Sequence, residues 1–157
     1  LHGGGVVIRL SKRMVHALEA VVDIAYNAGP HPVQSRDITA RQHIPQRYLE
    51  QVMQRLVRAG VLKGVRGPKG GYRLARERRR ITVGEVARVI YELEAADDPI
   101  TGAEGSELAQ QVVRPVWHEL RQDLMSRLDT ITIEDLCRQA HQLGIESDAR
   151  RRADFAI

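Results

Sequence analysis

The stretch Pro45–Leu74, PQRYLEQVMQRLVRAGVLKGVRGPKGGYRL, decides the fold of this 157-residue chain. The apolar residues of its first half recur at helical spacing: Leu49, Val52, Met53 and Leu56. This spacing predicts an amphipathic helix over residues 45–59, with Pro45 at its first position and Gly60 ending it. Val61–Val65 and Tyr72–Leu74 are then predicted to be two short strands of a hairpin.

The opposite face of the predicted helix carries polar side chains that can read DNA base edges. Arg47 suits guanine, and Glu50 can accept a hydrogen bond from the amino group of cytosine. Gln46 or Gln51 suits adenine, whereas Tyr48 suits a phosphate or a thymine methyl group. The alternative is an ordinary solvated face. The size of the face and the cations around it favour base contact.

The turn between the two strands places cations on a slim backbone. It reads RGPKGG over residues 66–71, so Arg66 and Lys69 lie among three glycines and one proline. Such a loop can enter the minor groove of DNA, where narrow A·T tracts attract arginine. The alternative is an ordinary glycine hairpin. The predicted contacts from this turn are Arg66, Gly67, Pro68 and Lys69.

Two further helices are predicted before this stretch. Ser11 is expected to cap the first helix, and Ser35 to cap a short helix over residues 36–42, followed by a tight turn at His43-Ile44. Three helices and a hairpin make a winged helix-turn-helix, so the expected fold is mostly α with a small β-hairpin wing (α+β). The expected DNA contacts at the start of the first helix are Arg9, Ser11 and Lys12.

The second half of the chain is predicted to be helical. Thr82 to Glu85 is a capping signature that opens one helix, and Thr132 opens the last helix, which runs to about Leu143. Between them, a longer helix has an apolar residue at every fourth position from Leu108, and it either kinks or begins at Pro115. The residues predicted to form a dimer interface on this helix are Val116, Trp117, Leu120, Leu124 and Leu128.

These elements suggest a division of the chain into five parts. Residues 1–8 are expected to be a disordered tail or an expression remnant, and residues 9–80 the winged helix-turn-helix domain. Residues 81–105 form a linking helix and loop, residues 106–144 the dimerisation helix and the last helix, and residues 145–157 a flexible tail.

The charge of the chain is unevenly distributed. Residues 9–80 carry 16 Lys and Arg against 5 Asp and Glu, whereas residues 81–157 carry 8 against 15. A basic half is typical of a nucleic-acid-binding protein, and 21 of the 24 cations are Arg, whose planar fork suits phosphates and guanine. We therefore expect double-stranded DNA as the partner.

Several other classes of protein are disfavoured. No apolar run reaches the roughly 18 residues of a membrane span, which favours a cytoplasmic location. No nucleophile motif, Walker loop or dinucleotide fingerprint is present, so we do not expect an enzyme or any catalytic residue. Cys137 is the only cysteine, which excludes an intrachain disulfide and any intrachain multi-cysteine metal site.

The motifs together resemble the IscR/NsrR/CymR-type (Rrf-two) family of bacterial winged-helix regulators over about residues 8–143. The family's start is similar to Arg9-Leu10-Ser11-Lys12, with His16 in place of its usual aromatic residue. Its YLEQ recognition helix is similar to residues 48–51, and its wing to Val65–Tyr72. Its later segments match residues 81–85 and 132–136. The resemblance implies a homodimeric repressor or activator on an inverted-repeat operator, more in keeping with a repressor.

The chain departs from this family at one place. Many members hold an iron–sulfur cluster on three cysteines before the dimer helix, but residues 95–113 contain neither cysteine nor histidine. Because cluster ligation needs thiolates, no cluster, other cofactor or metal is expected. Cys137 remains a candidate redox sensor beside His141, with a core residue as the alternative.

Two functional readings stay open beside the regulator. One is a winged-helix protein-interaction module that does not bind DNA. The other is a regulator with a small-molecule or protein effector, such as a metabolic enzyme that acts as its co-regulator, which the resemblance allows.

Overall fold

The computed structural model describes residues 11–95 and 105–148. These residues form helices α1 Lys12–Tyr26, α2 Ser35–Gln42, α3 Gln46–Arg58, α4 Val83–Glu94, α5 Arg114–Leu128 and α6 Ile133–Gln142, and strands β1 Leu62–Val65 and β2 Gly71–Leu74. A 3₁₀ turn covers Arg78–Arg80, and a π-helical turn covers Ala109–Val113. The two strands pair antiparallel, with Leu62 opposite Leu74. The predicted fold class, mostly helical with a small hairpin wing, is confirmed.

Hydroxyl caps begin three of the helices as the sequence predicts. Ser11 accepts a hydrogen bond from the Met14 amide at the start of α1. Thr82 caps α4 by accepting from the Glu85 amide. At α6 the capping is reciprocal, because Thr132 and Asp135 each accept a hydrogen bond from the other's amide.

Two predictions about helix starts are wrong. Ser35 is the first residue of α2, and Gln34 precedes it without a side-chain cap. Pro45 is not the first residue of α3 but the residue before it, with extended backbone at ψ 133°, and its carbonyl accepts from the Leu49 amide at 3.0 Å. The sharp turn between these helices is made by His43, whose φ of 55° lies in the left-handed region.

One hydrophobic core joins both halves of the chain. Helices α1, α3, α4 and α6 all contribute to a single cluster that extends from Ala17 to Cys137. Its largest fully buried side chains include Ile24, Ile38, Leu49, Met53, Leu56, Ile81, Ile90 and Ile133. The expected domain boundary at residue 80 is therefore not a boundary of the core, because α4 and α6 complete the hydrophobic interior of the winged helix.

The backbone hydrogen bonds of the long apolar helix change from the α-helical to the π-helical pattern just before Pro115. Pro115 has no N–H group, and the Arg114 amide donates to the Ala109 carbonyl, as in a π turn. In an α-helix, each residue lies about 40° further around the helix axis than the residue four positions earlier. The one extra residue of a π turn rotates the following residues back by about 100°. The π turn therefore keeps Leu108 and Val112 near the line of the later apolar residues.

The chain after α6 folds back onto α1 and α2. The Tyr26 hydroxyl donates to the Ile145 carbonyl, and the Asp148 amide donates to the Asn27 side chain at 2.8 Å. Arg41 joins the Asp148 carboxylate to the buried Asp23 carboxylate. Residues 145–148 therefore make backbone and side-chain hydrogen bonds with α1 and α2 and the residue that follows α1, whereas the expected flexible tail stays a prediction. None of the helices described is long and apolar enough to cross a membrane.

Candidate nucleic-acid interface

Helix α3 has a buried apolar face and an exposed polar face, as predicted. Its apolar residues Leu49, Val52, Met53 and Leu56 are each at most 1% exposed. Gln46, Arg47, Glu50 and Gln51 are exposed on the other side. The Gln46 side chain donates to the Glu50 carboxylate at 3.3 Å, which aligns these two groups along the first turn. The first turn thus presents a guanidinium, a carboxylate and two amides.

Tyr48 has a different environment from the other predicted base contacts. It is half-buried, its ring meets His16 edge-on with centroids 6.0 Å apart, and the Arg13 guanidinium lies 5.3 Å from its centroid. The aromatic ring therefore joins the first turn of α3 to the first turns of α1. The sequence did not show this contact, although Tyr48 and the start of the first helix were both predicted to contact DNA.

The start of α1 lies beside this first turn of α3. Lys12 is exposed there, and Ser11 is half-buried. The Ser11 hydroxyl accepts from the Met14 amide at 3.1 Å and donates to Glu94 at 2.9 Å. Its single hydrogen is thus already bonded within the chain, so contact with a phosphate requires an exchange of partners. Arg9, the third predicted contact here, lies outside the described residues.

The wing is a tight hairpin that rests on the α1–α2 connection. Its tip closes through a hydrogen bond of 2.9 Å from the Gly70 amide to the Gly67 carbonyl, with Pro68 at the second position of the turn. Tyr72 forms a bridge with Val33, in which the two backbones exchange hydrogen bonds of 2.8 and 3.0 Å. The hairpin is therefore held on one side by the chain that leads into α2.

Two glycines allow this close approach of backbones. A Cβ atom on Gly70 would lie 2.3 Å from the Val65 carbonyl oxygen, and one on Gly71 would lie 2.3 Å from that of Val33. Arg73 adds an anchor, because its guanidinium donates to the carbonyls of Gly29 and Pro30 at 3.2 and 2.7 Å. The sequence did not identify this anchoring role of Arg73, since the carbonyls it meets are more than forty residues away.

The cations at the wing tip and three arginines at its base differ in whether they form ion pairs within the chain. Arg66 and Lys69 are exposed at the tip, and within residues 11–95 and 105–148 neither has a salt-bridge partner. At the base, by contrast, Arg76, Arg78 and Arg79 pair with Glu85, Glu134 and Glu77. Both cations of the tip are thus exposed without an ion pair among the described residues, and an anionic ligand can reach them.

A second exposed surface runs along the long helix. Its apolar side chains are between 38% and 67% exposed, and they belong to Leu108, Val112, Val113, Val116, Trp117, Leu120 and Leu124. We call these seven residues the apolar stripe. Leu128, which was also predicted to contact a second copy, instead packs against the core of its own chain. The dimerisation role of the stripe stays a prediction.

Cys137 lies in the core on α6. It is 2% exposed, and its burial raises the pKa of its thiol. A buried thiol with a raised pKa holds little reactive thiolate at neutral pH, so its surroundings favour the core alternative over the redox sensor. No group of three or more His, Cys, Asp or Glu that could hold a metal ion occurs among the described residues.

The geometry defines a class of protein. A helix α3 with an exposed polar first turn, followed along the chain by a cationic, glycine-rich hairpin, is the arrangement of a winged helix-turn-helix transcriptional regulator. The chain belongs to the Rrf2 family: residues 10–139 match its profile, which is described as an iron-dependent transcriptional regulator. The predicted resemblance is thereby confirmed.

Individual relatives agree with this assignment. The chain is 34% identical over 154 residues to the HTH-type transcriptional regulator IscR of Xenorhabdus nematophila, covering 92% of this chain and 90% of the relative. Its fold is similar to T. potens IscR, with a TM-score of 0.69, 31% identity and coverage of 90% and 94% of the two chains. It is also similar to CymR, the global cysteine regulator of B. subtilis, with a TM-score of 0.65, 29% identity and coverage of 85% and 98%. These relatives are named regulators, which confirms the prediction that the chain is not an enzyme.

Proposed function

We propose that this regulator is a homodimeric, sequence-specific repressor that binds an inverted-repeat operator without an iron–sulfur cluster. The observation that carries the sequence-specific part is the first turn of α3, where Arg47 and Glu50 are exposed rather than packed. Base edges in the major groove present acceptors that match Arg47 and donors that match Glu50. A surface that bound only phosphates would have no use for a carboxylate at this position.

The wing supplies the second contact with the same duplex. Gly67 and Pro68 give the tip a slim outline, and Arg66 and Lys69 carry its charge. Arginine is favoured in narrow minor grooves because the negative potential there is concentrated. With α3 in the major groove, the wing tip is the part of the chain suited to the neighbouring minor groove.

The apolar stripe supports a dimer. Large exposed apolar patches on small domains mark surfaces that are covered by a partner. Val116 and Leu120 are each more than half exposed, although they lie at the centre of a helix that runs past the core. A symmetric pair of chains joined through this stripe presents two copies of α3, which fits an operator with two inverted half-sites.

The residues of this chain do not fit an iron–sulfur cluster. Clusters in this kind of site are held by several thiolates, whereas the sequence contains Cys137 alone. Cys137 is also enclosed by core residues of α6 and cannot reach a surface loop without unfolding that helix. We therefore propose that DNA binding here does not depend on a cluster, although the family is described as iron-dependent.

We propose repression because the DNA-binding surface alone accounts for it. A dimer that occupies its operator blocks RNA polymerase without any further contact, and the proposed DNA surface is sufficient for this. Activation would need an additional surface that touches the polymerase. In vitro transcription from the bound promoter shows whether the protein represses or activates, since a repressor lowers transcript yield in proportion to operator occupancy.

The decisive experiment is a binding titration with the upstream region of its own gene and with a scrambled duplex of the same composition. We expect the natural duplex to bind at least about a hundredfold more tightly. Arg47→Ala should remove about 1–3 kcal/mol of binding free energy at one base position, and Arg66→Ala should weaken binding and reduce the salt dependence. Arg138→Ala on α6 is the matched control, because it removes one exposed cation away from the proposed interface.

Equal affinity for the two duplexes would contradict sequence-specific binding. If the chain binds neither duplex, and Arg47→Ala and Arg66→Ala both keep a protein partner, the interaction-module reading is correct instead. Reconstitution with iron and sulfide tests the cofactor part. We expect no visible cluster absorbance, and a stoichiometric cluster would overturn that part of the proposal.

A further inference from the structure

Glu94 forms a long-range contact at the end of the molecule that faces DNA. It is the last residue of α4, it is half-buried, and its carboxylate accepts a hydrogen bond of 2.9 Å from the Ser11 hydroxyl. The same hydroxyl accepts from the Met14 amide. The contact joins residues 83 positions apart, so it links the C-terminus of α4 to the N-terminus of α1.

The surroundings of this contact place it beside the proposed DNA path. Arg13 is the second residue of α1, and its guanidinium lies 5.3 Å from the centroid of the Tyr48 ring of α3. The N-terminus of α1 is therefore next to the first turn of the helix that reads bases. Lys12, exposed between Ser11 and Arg13, adds a cation that suits a phosphate. A carboxylate in this position has the wrong sign for the ligand.

We propose that Glu94 restrains DNA binding and so sets the affinity of the regulator. Its carboxylate accepts the hydrogen bond from the Ser11 hydroxyl, which would otherwise be free to donate to a phosphate. It also holds a negative charge beside the path of the DNA backbone. Affinity rises when Glu94 loses its charge or when the last turn of α4 moves it away from Ser11. This inference rests on the proposed function, since it needs a duplex on this face.

The size of the effect follows from the charges. Two negative charges about 6 Å apart, with an effective dielectric constant between about 40 and 80, repel each other enough to change Kd about three- to tenfold. Salt screens this repulsion, because the Debye length is about 10 Å at 0.1 M ionic strength. The restraint should therefore be strongest at low salt.

The test compares Glu94→Gln with Glu92→Gln. The first variant removes the charge but keeps an oxygen that can accept from Ser11. The second makes the same change of net charge at Glu92, an exposed residue of the same helix. Kd is measured by fluorescence anisotropy at several salt concentrations, on the upstream duplex and on a random duplex. Circular dichroism and thermal midpoints report whether both variants fold like the unaltered chain.

We expect Glu94→Gln to bind either duplex about three- to tenfold more tightly than Glu92→Gln at low salt, with a gain that shrinks as salt rises. Equal affinities of the two variants, or weaker binding by Glu94→Gln, would overturn the inference. A structural role alone would change the thermal midpoint and weaken binding, which is the opposite direction. Because phosphate contacts do not depend on sequence, the random duplex tests Glu94 even if the unaltered chain shows no operator preference.

Discussion

Arg88 on α4 holds Asp129, which follows α5, through two hydrogen bonds of 2.6 Å, one from each terminal nitrogen. Gly84 makes room for this pair, since a Cβ atom there would lie 1.9 Å from an Asp129 oxygen. Beside it, the Val83 amide donates to the Ile131 carbonyl at 2.8 Å. These contacts fix the helix that carries the apolar stripe relative to the winged helix. In a dimer, this joint would set the distance between the two copies of α3.

The Arg88–Asp129 pair should make the stability of the fold depend on pH. The hydrogen bonds from Arg88 hold the pKa of Asp129 below its ordinary value of 3.8. A carboxylate with a lowered pKa in the folded state stabilises the fold at pH values above 3.8, and this contribution is lost as the pH falls through the lowered value. We expect Asp129→Asn to lower the thermal midpoint at pH 7 and to differ less from the unaltered chain near pH 3.

Thermal unfolding followed by circular dichroism between pH 3 and pH 8 measures this difference. Asp123→Asn is the matched control, because Asp123 is an exposed carboxylate on α5, six residues before Asp129. A constant difference between Asp129→Asn and the unaltered chain across the pH range would show that the ion pair contributes nothing.

The second prediction concerns the approach of the wing to Val33. Gly71→Ala would force a methyl group to within 2.3 Å of the Val33 carbonyl oxygen, so the bridge to Tyr72 must open. We expect a loss of about 1–3 kcal/mol in the free energy of unfolding. Operator affinity should fall as well, since the tip with Arg66 and Lys69 loses its support. Urea unfolding and anisotropy titration measure the two effects.

Gly64→Ala is the control for this wing variant. Gly64 lies on the neighbouring strand, and a Cβ atom there would meet nothing within 4 Å. The change should alter the free energy of unfolding by no more than about 0.5 kcal/mol and leave operator affinity unchanged. If Gly71→Ala behaves like Gly64→Ala in both assays, the bridge to Val33 does not position the wing.

The third prediction concerns the apolar stripe. Leu120→Asp places a charge at the centre of the proposed dimer interface, where it would be buried without a partner. We expect light scattering to report a dimer for the unaltered chain and a monomer for this variant. The monomer should keep its helical circular dichroism, because Leu120 takes no part in the core. Operator affinity should fall at least about a hundredfold, since a single half-site remains.

Leu143→Asp is the matched control for the stripe. Leu143 is 70% exposed, which is more than Leu120, but it lies at the end of α6 and outside the stripe. This variant should remain dimeric. A monomeric unaltered chain, or a Leu120→Asp variant that still dimerises, would show that the stripe is not the interface.

Local patterns in the sequence predicted most of the fold and the exposed polar face of α3 that we propose contacts DNA. The spacing of Leu49, Val52 and Leu56 is a property of one helix, and the glycines of residues 66–71 act within one turn. The contacts that the sequence missed join distant segments. Glu94 meets Ser11 only because α4 packs against α1, and no spacing within either helix encodes that meeting.

The wrong predictions have the same origin. Ser35 and Pro45 were placed one position away from their observed roles, because the ends of short helices depend on the turn that joins them as much as on propensity. The sequence also missed the contacts of Asp148. Its partners Arg41 and Asn27 lie more than one hundred residues earlier in the chain.

The fourth prediction concerns Cys137. Burial raises the pKa of its thiol, so a small fraction is ionised at neutral pH and reaction with alkylating or oxidising reagents should be slow. We expect iodoacetamide to label the native protein far more slowly than the urea-unfolded protein. Treatment with peroxide should leave operator affinity unchanged. Cys137→Ser should cost about 1–3 kcal/mol in the free energy of unfolding, because it buries a hydroxyl in an apolar site.

Cys137→Ala separates packing from redox chemistry in this test, since it removes the sulfur without adding a polar group. Mass spectrometry gives the labelling rates, and anisotropy gives the operator affinity before and after peroxide. A sensor would show rapid labelling of the folded protein and a peroxide effect that Cys137→Ala abolishes. That pair of results would contradict the core assignment, because a thiol enclosed by the core of α6 can meet peroxide only when the helix opens.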